Sequence, residues 1–146
     1  MNKRIIVLTK SYKHGGYCVA GIDCYTGTWI RLVSNDAETE GAVPERDLIY
    51  QNGSSVSIYD IIDCEVCSHC PSFVQPENWQ YDDGYYWNKV GVSNLKEVIN
   101  CCGLDDDDFI FCNTDRRLPA DWQFASSKSL CLAQIHDAYI EVCDWY

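Results

Sequence analysis

The stretch KSYKHGGYC, residues 10–18, gathers two lysines, a histidine and a glycine pair within a few positions. Backbone N–H groups around a Gly-Gly bend can converge on an anion, and lysines beside them add charge. Arg31 follows in TWIRLV, placed mid-strand between Ile30 and Leu32. Its planar guanidinium presents five donors in a fork that matches phosphate or carboxylate. Trp29, two residues away on the same strand face, offers a flat surface on which a base could stack. Lys10, Lys13, His14, Gly15, Gly16 and Arg31 therefore form a candidate anion site. Two plainer readings stand beside it: a solvated hairpin loop, and an Arg31 paired with a carboxylate such as Asp23 across the hairpin. The spacing fits neither the P-loop pattern nor G-x-G-x-x-G.

Other chemistry is thinner. Cys64-x-x-Cys67-x-x-Cys70, with His69 inside it, invites a metal. Cys64 and Cys67 lie an odd number of residues apart, however, and face opposite sides of an extended strand. Pro71 also follows Cys70 directly, where the iron–sulfur pattern wants a fourth cysteine three residues on. We expect no metal, and ten reduced cysteines serving as small hydrophobes. His14, His69 and His136 are scattered, and no G-x-S-x-G or H-E-x-x-H occurs. Cys18 beside His14 is the one thin nucleophile arrangement. The expectation is a non-enzymatic protein with no catalytic residues and no cofactor. In the aromatic segment that begins Glu77-Asn78-Trp79, Asn78 and Trp79 are the candidate binding residues, because aromatic and amide groups suit binding surfaces.

The chain has 146 residues and a net charge of −11, unevenly placed. Residues 1–34 carry Lys3, Arg4, Lys10, Lys13 and Arg31 against Asp23, a net of +4, which leaves −15 for residues 35–146. A long nucleic acid laid across the whole surface would be repelled over most of it, whereas a short anion at the amino-terminal end would not. The partners this favours are an anionic small molecule, a nucleotide or a short nucleic acid. The acidic remainder favours instead a basic protein partner, with the chain acting as a nucleic-acid mimic or inhibitor. Ile5–Leu8 is too short for a signal-peptide core, and no run reaches the roughly 20 apolar residues that span a bilayer. A soluble, cytoplasmic protein with no membrane partner is expected.

The elements that must position these residues are short strands. Lys3–Leu8, Tyr17–Asp23 and Thr28–Val33 read as a meander, with Thr9–Gly16 as loop and Tyr25-Thr26-Gly27 as turn. Residues 34–57 read as loop with at most a short element, and Ile58–Val66 as a strand. Ser93 caps a helix over Asn94–Cys102 that stops at Gly103. Asp105–Asp108 reads as a solvated turn. Phe109–Cys112, Ser129–Ile135 and Ala138–Cys143 read as further strands, the last two around a His136-Asp137 turn. The fold class is mainly β with one short helix: a small OB-type barrel, or two packed half-sized barrels. The whole chain, 1–146, forms one compact unit, with sub-barrels conceivable at about 1–75 and 76–146.

KRIIVL, K-H-G-G-x-C-V-A-G, G-T-W-I-R-L-V-S, D-I-I at 60–62, E-N-W and YYWNKVG, taken in this order, resemble the bacterial dual OB domain family. The resemblance runs from about Lys3 to Gly91 and returns faintly at Ser129–Val142. It implies two small packed β-barrels, a setting in prokaryotic or phage conflict or nucleic-acid processing, and no known enzymatic activity. Carried over position by position, it implies a ligand face at Lys13, Gly15, Gly16, Arg31, Ser34, Asn78 and Trp79. Tyr17 stands where the family usually has arginine and Leu32 where it usually has proline. The chain ends at Tyr146, where the family's second barrel normally continues, so the resemblance implies an abbreviated second barrel.

Overall fold

The computed structural model describes residues 1–105 and 128–135. Among the described residues six strands are found: β1 (Asn2–Lys13), β2 (Gly16–Asp23), β3 (Trp29–Val33), β4 (Asp60–His69), β5 (Asn78–Tyr81) and β6 (Asn88–Val92). One helix, α1, covers Leu95–Cys102. Five strands run β1-β2-β3-β5-β4, and β4 returns to pair with β1, so the sheet closes on itself. All pairings are antiparallel except β3 with β5, which is parallel. β6 adds to the outer edge of β4. This is a small OB-type barrel with one extra strand.

The length of β1 makes the closure possible. Asn2–Ile6 pair with β4 and Ile5–Lys13 pair with β2, with a register shift between Val7 and Thr9. A bulge of this kind bends a strand and increases its twist, which is what a strand needs to pair on two edges. The curve brings backbones very close. A Cβ on Gly21 would lie 1.9 Å from the Ile6 carbonyl oxygen, so only glycine fits there.

Alternation then sorts the side chains. Ile5, Val7, Val19, Ile30, Leu32, Ile62, Cys64 and Val66 point into the barrel, joined by Val43, Leu48 and Val56 from the long connection between β3 and β4. Burial pushes the Cys64 thiol up, in keeping with a cysteine used as a core hydrophobe. On the outer face, Ile6 and Ile22 meet Val98 of α1, with Leu8, Trp29 and Ile61 around them. Helix α1 is thus fixed to the barrel by one apolar patch.

The differences from the sequence expectations are local. Thr9–Lys13 continues β1 rather than forming loop, because its backbone ladder to Gly16–Ala20 needs no apolar side chains. The β1–β2 connection is only His14 and Gly15, both at positive φ (49° and 77°), the signature of a two-residue type I′ turn. β4 starts at Asp60 and runs on to His69. The cap of α1 is Asn94, whose side chain accepts from the Glu97 N–H, while the buried Ser93 donates its hydroxyl to Glu97 instead. Residues 34–57 hold two short 3₁₀ turns, Ala37–Thr39 and Glu45–Leu48. Ser129–Ile135 carries no strand; it packs along Asp105, with the Asp105 N–H donating to the Leu132 carbonyl at 2.7 Å and Leu132 N–H to the Asp105 carboxylate. The expected strands Phe109–Cys112 and Ala138–Cys143, their turn, and Asp106–Asp108 lie outside the described residues.

Two carboxylates pin the β4 face. Asp63 accepts two hydrogen bonds from Arg4, at 2.7 and 2.8 Å, which hold it below the usual carboxylate range. Burial opposes ionisation of Asp60, but bonds from Lys89, the Tyr50 hydroxyl and the Ser57 N–H outweigh it and lower its pKa as well. Both groups therefore bind protons more weakly folded than unfolded. Their stabilisation is complete above about pH 4, where the unfolded carboxylates ionise, and is lost as pH falls through the lower folded values. The urea midpoint should drop between about pH 4 and pH 2, and Arg4→Gln should flatten that drop. An unchanged acid profile in Arg4→Gln would count against this account. A fragment ending at residue 75 lacks β5 and should show no cooperative unfolding by circular dichroism, since the barrel cannot close without it.

Candidate functional site

Arg31 lies in β3 on the face opposite Ile30 and Leu32, and its side chain is only 9% exposed. The parallel pairing with β5 sets Arg31 opposite Asn78, and the Arg31 N–H donates to the Glu77 carbonyl at 2.9 Å. The side chains follow the backbone: Nη2 donates to Glu77 Oε1 at 3.3 Å and to Ser129 Oγ at 3.1 Å. Ser129 in turn donates to the same Glu77 oxygen. The carboxylate partner of Arg31 is thus Glu77, not Asp23. Asp23 is buried against Lys3 at 2.7 Å and accepts from the Tyr25 N–H.

The ion pair is incompletely satisfied. Arg31 Nε and Nη1, Glu77 Oε2 and Asn78 Oδ1 are buried and make no hydrogen bond. Buried polar groups are ordinarily paired, so four such atoms in one place mark a site with capacity for a ligand. Arg31 and Asn78 line a groove of about 310 Å³, together with Lys13, Ser34, Glu40 and Gln75. The groove lies between β3, the end of β1 and the connection from β4 to β5.

Among the residues singled out in the sequence, Lys13, Arg31, Ser34 and Asn78 come together in this groove. Others go elsewhere. Lys10 donates to the Val56 carbonyl at 2.9 Å and sits 5.1 Å over the Tyr17 ring, so it ties β1 to the long connection. His14 and Gly15 make the tight turn, and His14 Nδ1 lies 3.6 Å from a Glu40 carboxylate oxygen. Gly16 is buried because Tyr17 and Val43 exchange backbone hydrogen bonds beside it. A Cβ at Gly16 would lie 2.7 Å from the Val43 oxygen, so the glycine serves close packing. Trp79 lines a separate cleft with Trp29. The eight described cysteines are free thiols, and Cys64 is buried while Cys67 is exposed, as their odd spacing requires. No cluster of three metal-ligating side chains occurs among the described residues.

Glu77, Gln75 and Ser129 were not foreseen. Glu77 immediately precedes the singled-out Asn78, but nothing in the local pattern tells a buried carboxylate from a solvated one.

The family model for the dual OB-containing domain matches residues 3–145. The chain belongs to this family. No match was found among curated proteins or among solved structures. A dual OB domain is, in general terms, a binding module, and the groove lies where OB-folds generally bind: at the face near strands 2 and 3 and the connection between strands 4 and 5. No helix among the described residues of this dual OB domain is long and apolar enough to cross a membrane.

The buried pair gives a direct test of the site's architecture. Arg31→Met should cost about 3–5 kcal/mol, because it strands the Glu77 carboxylate in the interior. Adding Glu77→Leu should recover most of that loss, since apolar replacement of both partners of a buried pair is close to neutral. Chemical denaturation of the two variants decides it: a double variant as unstable as the single one would contradict the pairing.

Proposed function

We propose that this dual OB domain is a non-enzymatic module that binds the phosphate of a nucleotide, or of a nucleic-acid end, in the Lys13–Arg31 groove. One observation carries the reading: the buried guanidinium of Arg31 keeps Nε and Nη1 without a hydrogen bond. Unsatisfied donors at that depth are costly, and a phosphate accepts from two guanidinium N–H groups at once. Lys13 supplies a second, exposed cation on the groove's lining. Asn78 Oδ1 needs a donor, and a sugar hydroxyl next to the phosphate would meet it. The small size of the groove and the chain's net charge of −11 favour a short ligand over a long duplex.

A second reading rests on that same net charge. An acidic surface could engage a basic protein partner, with the groove playing no part.

Titration with short oligonucleotides bearing a 5′-phosphate or a 5′-hydroxyl, over a range of salt, separates the two. The phosphate end should bind more tightly, with a salt slope of about −2 for two cationic contacts. Lys13→Ala should lower that slope by about 1 and leave thermal stability unchanged, since Lys13 is exposed. If the two ends bind alike and Lys13→Ala has no effect, the phosphate reading fails. Binding of a polybasic peptide alone, indifferent to Lys13, is the result that would establish the second reading.

A further inference from the structure

A second cleft, of about 440 Å³, opens beside the groove and is lined by Trp29, His69, Glu77, Trp79, Asp105 and Lys128. It has one member of the buried ion pair, Glu77, while the groove has the other, Arg31. The His69 ring lies 4.9 Å from the Trp79 ring, tilted by 37°, so the two rings pack against each other at the cleft. Trp29 is half-buried on the lining.

Aromatic side chains with carboxylates suit either an organic cation or a neutral ring bearing N–H donors. Charge decides between them. Among the described residues the charged groups around this cleft already have partners: Glu77 pairs with Arg31, Asp105 with Lys128, and Lys3 with Asp23. The Lys3 amine also sits 4.4 Å over the Trp79 ring, so the protein's own cation takes the place a ligand cation would seek. What the described residues of the cleft have left over is a neutral ring's complement: the aromatic surface of Trp29 and His69, and a single buried acceptor, Glu77 Oε2, without a hydrogen bond.

We propose that this cleft is a nucleobase site, stacking one base on its aromatic walls and reading an imino N–H of that base with Glu77. The chemistry favours guanine and hypoxanthine, which carry N1–H, over adenine, whose N1 is an acceptor. Against adenine the unpaired Glu77 oxygen would face a lone pair, and a site built on a buried acceptor rejects a ligand without the donor strongly. The inference rests on the reading of this domain as a nucleotide binder, but it concerns a different set of residues from the phosphate groove.

Phosphate-free nucleosides test the base site by itself. Guanosine and inosine should quench tryptophan fluorescence and bind at least tenfold more tightly than adenosine, with N1-methylguanosine as weak as adenosine. The methylated ligand asks about the Glu77 contact in the unaltered protein, so no folding defect can confuse it. Trp29→Phe should reduce the quench, and Glu77→Gln should remove the preference for guanosine. Equal binding of guanosine, N1-methylguanosine and adenosine overturns the proposal. So does the absence of any nucleoside binding; if 5′-phosphate oligonucleotides still bind through Lys13 in that case, the phosphate groove stands and only the base site falls.

Discussion

Strand β1 gives its first residues to β4 and the rest to β2, and the change of partner takes place around the bulge near Leu8. A strand that hydrogen-bonds on both edges removes the open edges a small sheet would otherwise expose. The bend also dictates sequence elsewhere. Gly21 has to lack a Cβ because Ile6 curls against it, and Ile6 in turn points outward to meet Ile22 and Val98, which fixes α1. The inner apolar set and the outer helix therefore both follow from one strand's curvature.

The parallel pairing of β3 with β5 plays the same part for the site. It is the one parallel contact in the barrel, and it brings Arg31 and Glu77, 46 residues apart in sequence, into a buried ion pair. A backbone hydrogen bond from Arg31 to Glu77 sets the register, so the side chains are positioned by the ladder rather than by their own flexibility. Ser129 then joins both partners from a distant segment. Such a pair adds little net stability, but it fixes where donors and acceptors with spare capacity stand.

Much of the barrel was legible in the sequence, for a physical reason. Strands covered on both faces read as short apolar runs, as KRIIVL and YCVAGID do, while TWIRLV alternates; Gly103 ends α1 as its position implied. The second half of β1 was not legible, because Ser11, Tyr12 and Lys13 pair through their backbones and expose their side chains, which leaves a loop-like pattern. Of the groove, Lys13, Arg31, Ser34 and Asn78 were found through residue chemistry and family resemblance together. Glu77 was missed because its burial depends on a partner in another strand. Lys10 misled, since a lysine beside glycines reads as anion chemistry, whereas its amine reaches a buried carbonyl through the length of its stem.

The two-residue turn at His14-Gly15 has a bearing on how such a domain can change its specificity. A turn this short has no spare backbone: an inserted residue must be absorbed by a longer turn with a bulge, or it slips the β1–β2 register by one residue and turns the side chains of one strand to the other face. Changes of length at this corner are therefore costly. The connection between β4 and β5 is tied as well, by paired backbone hydrogen bonds between Ser72 and Gln75, and it supplies Ser72 and Gln75 to one recess and Pro76 and Glu77 to the other. Side-chain changes within residues 70–76 would therefore reshape both recesses at once and leave the strands of the barrel and the Arg31–Glu77 pair as they are.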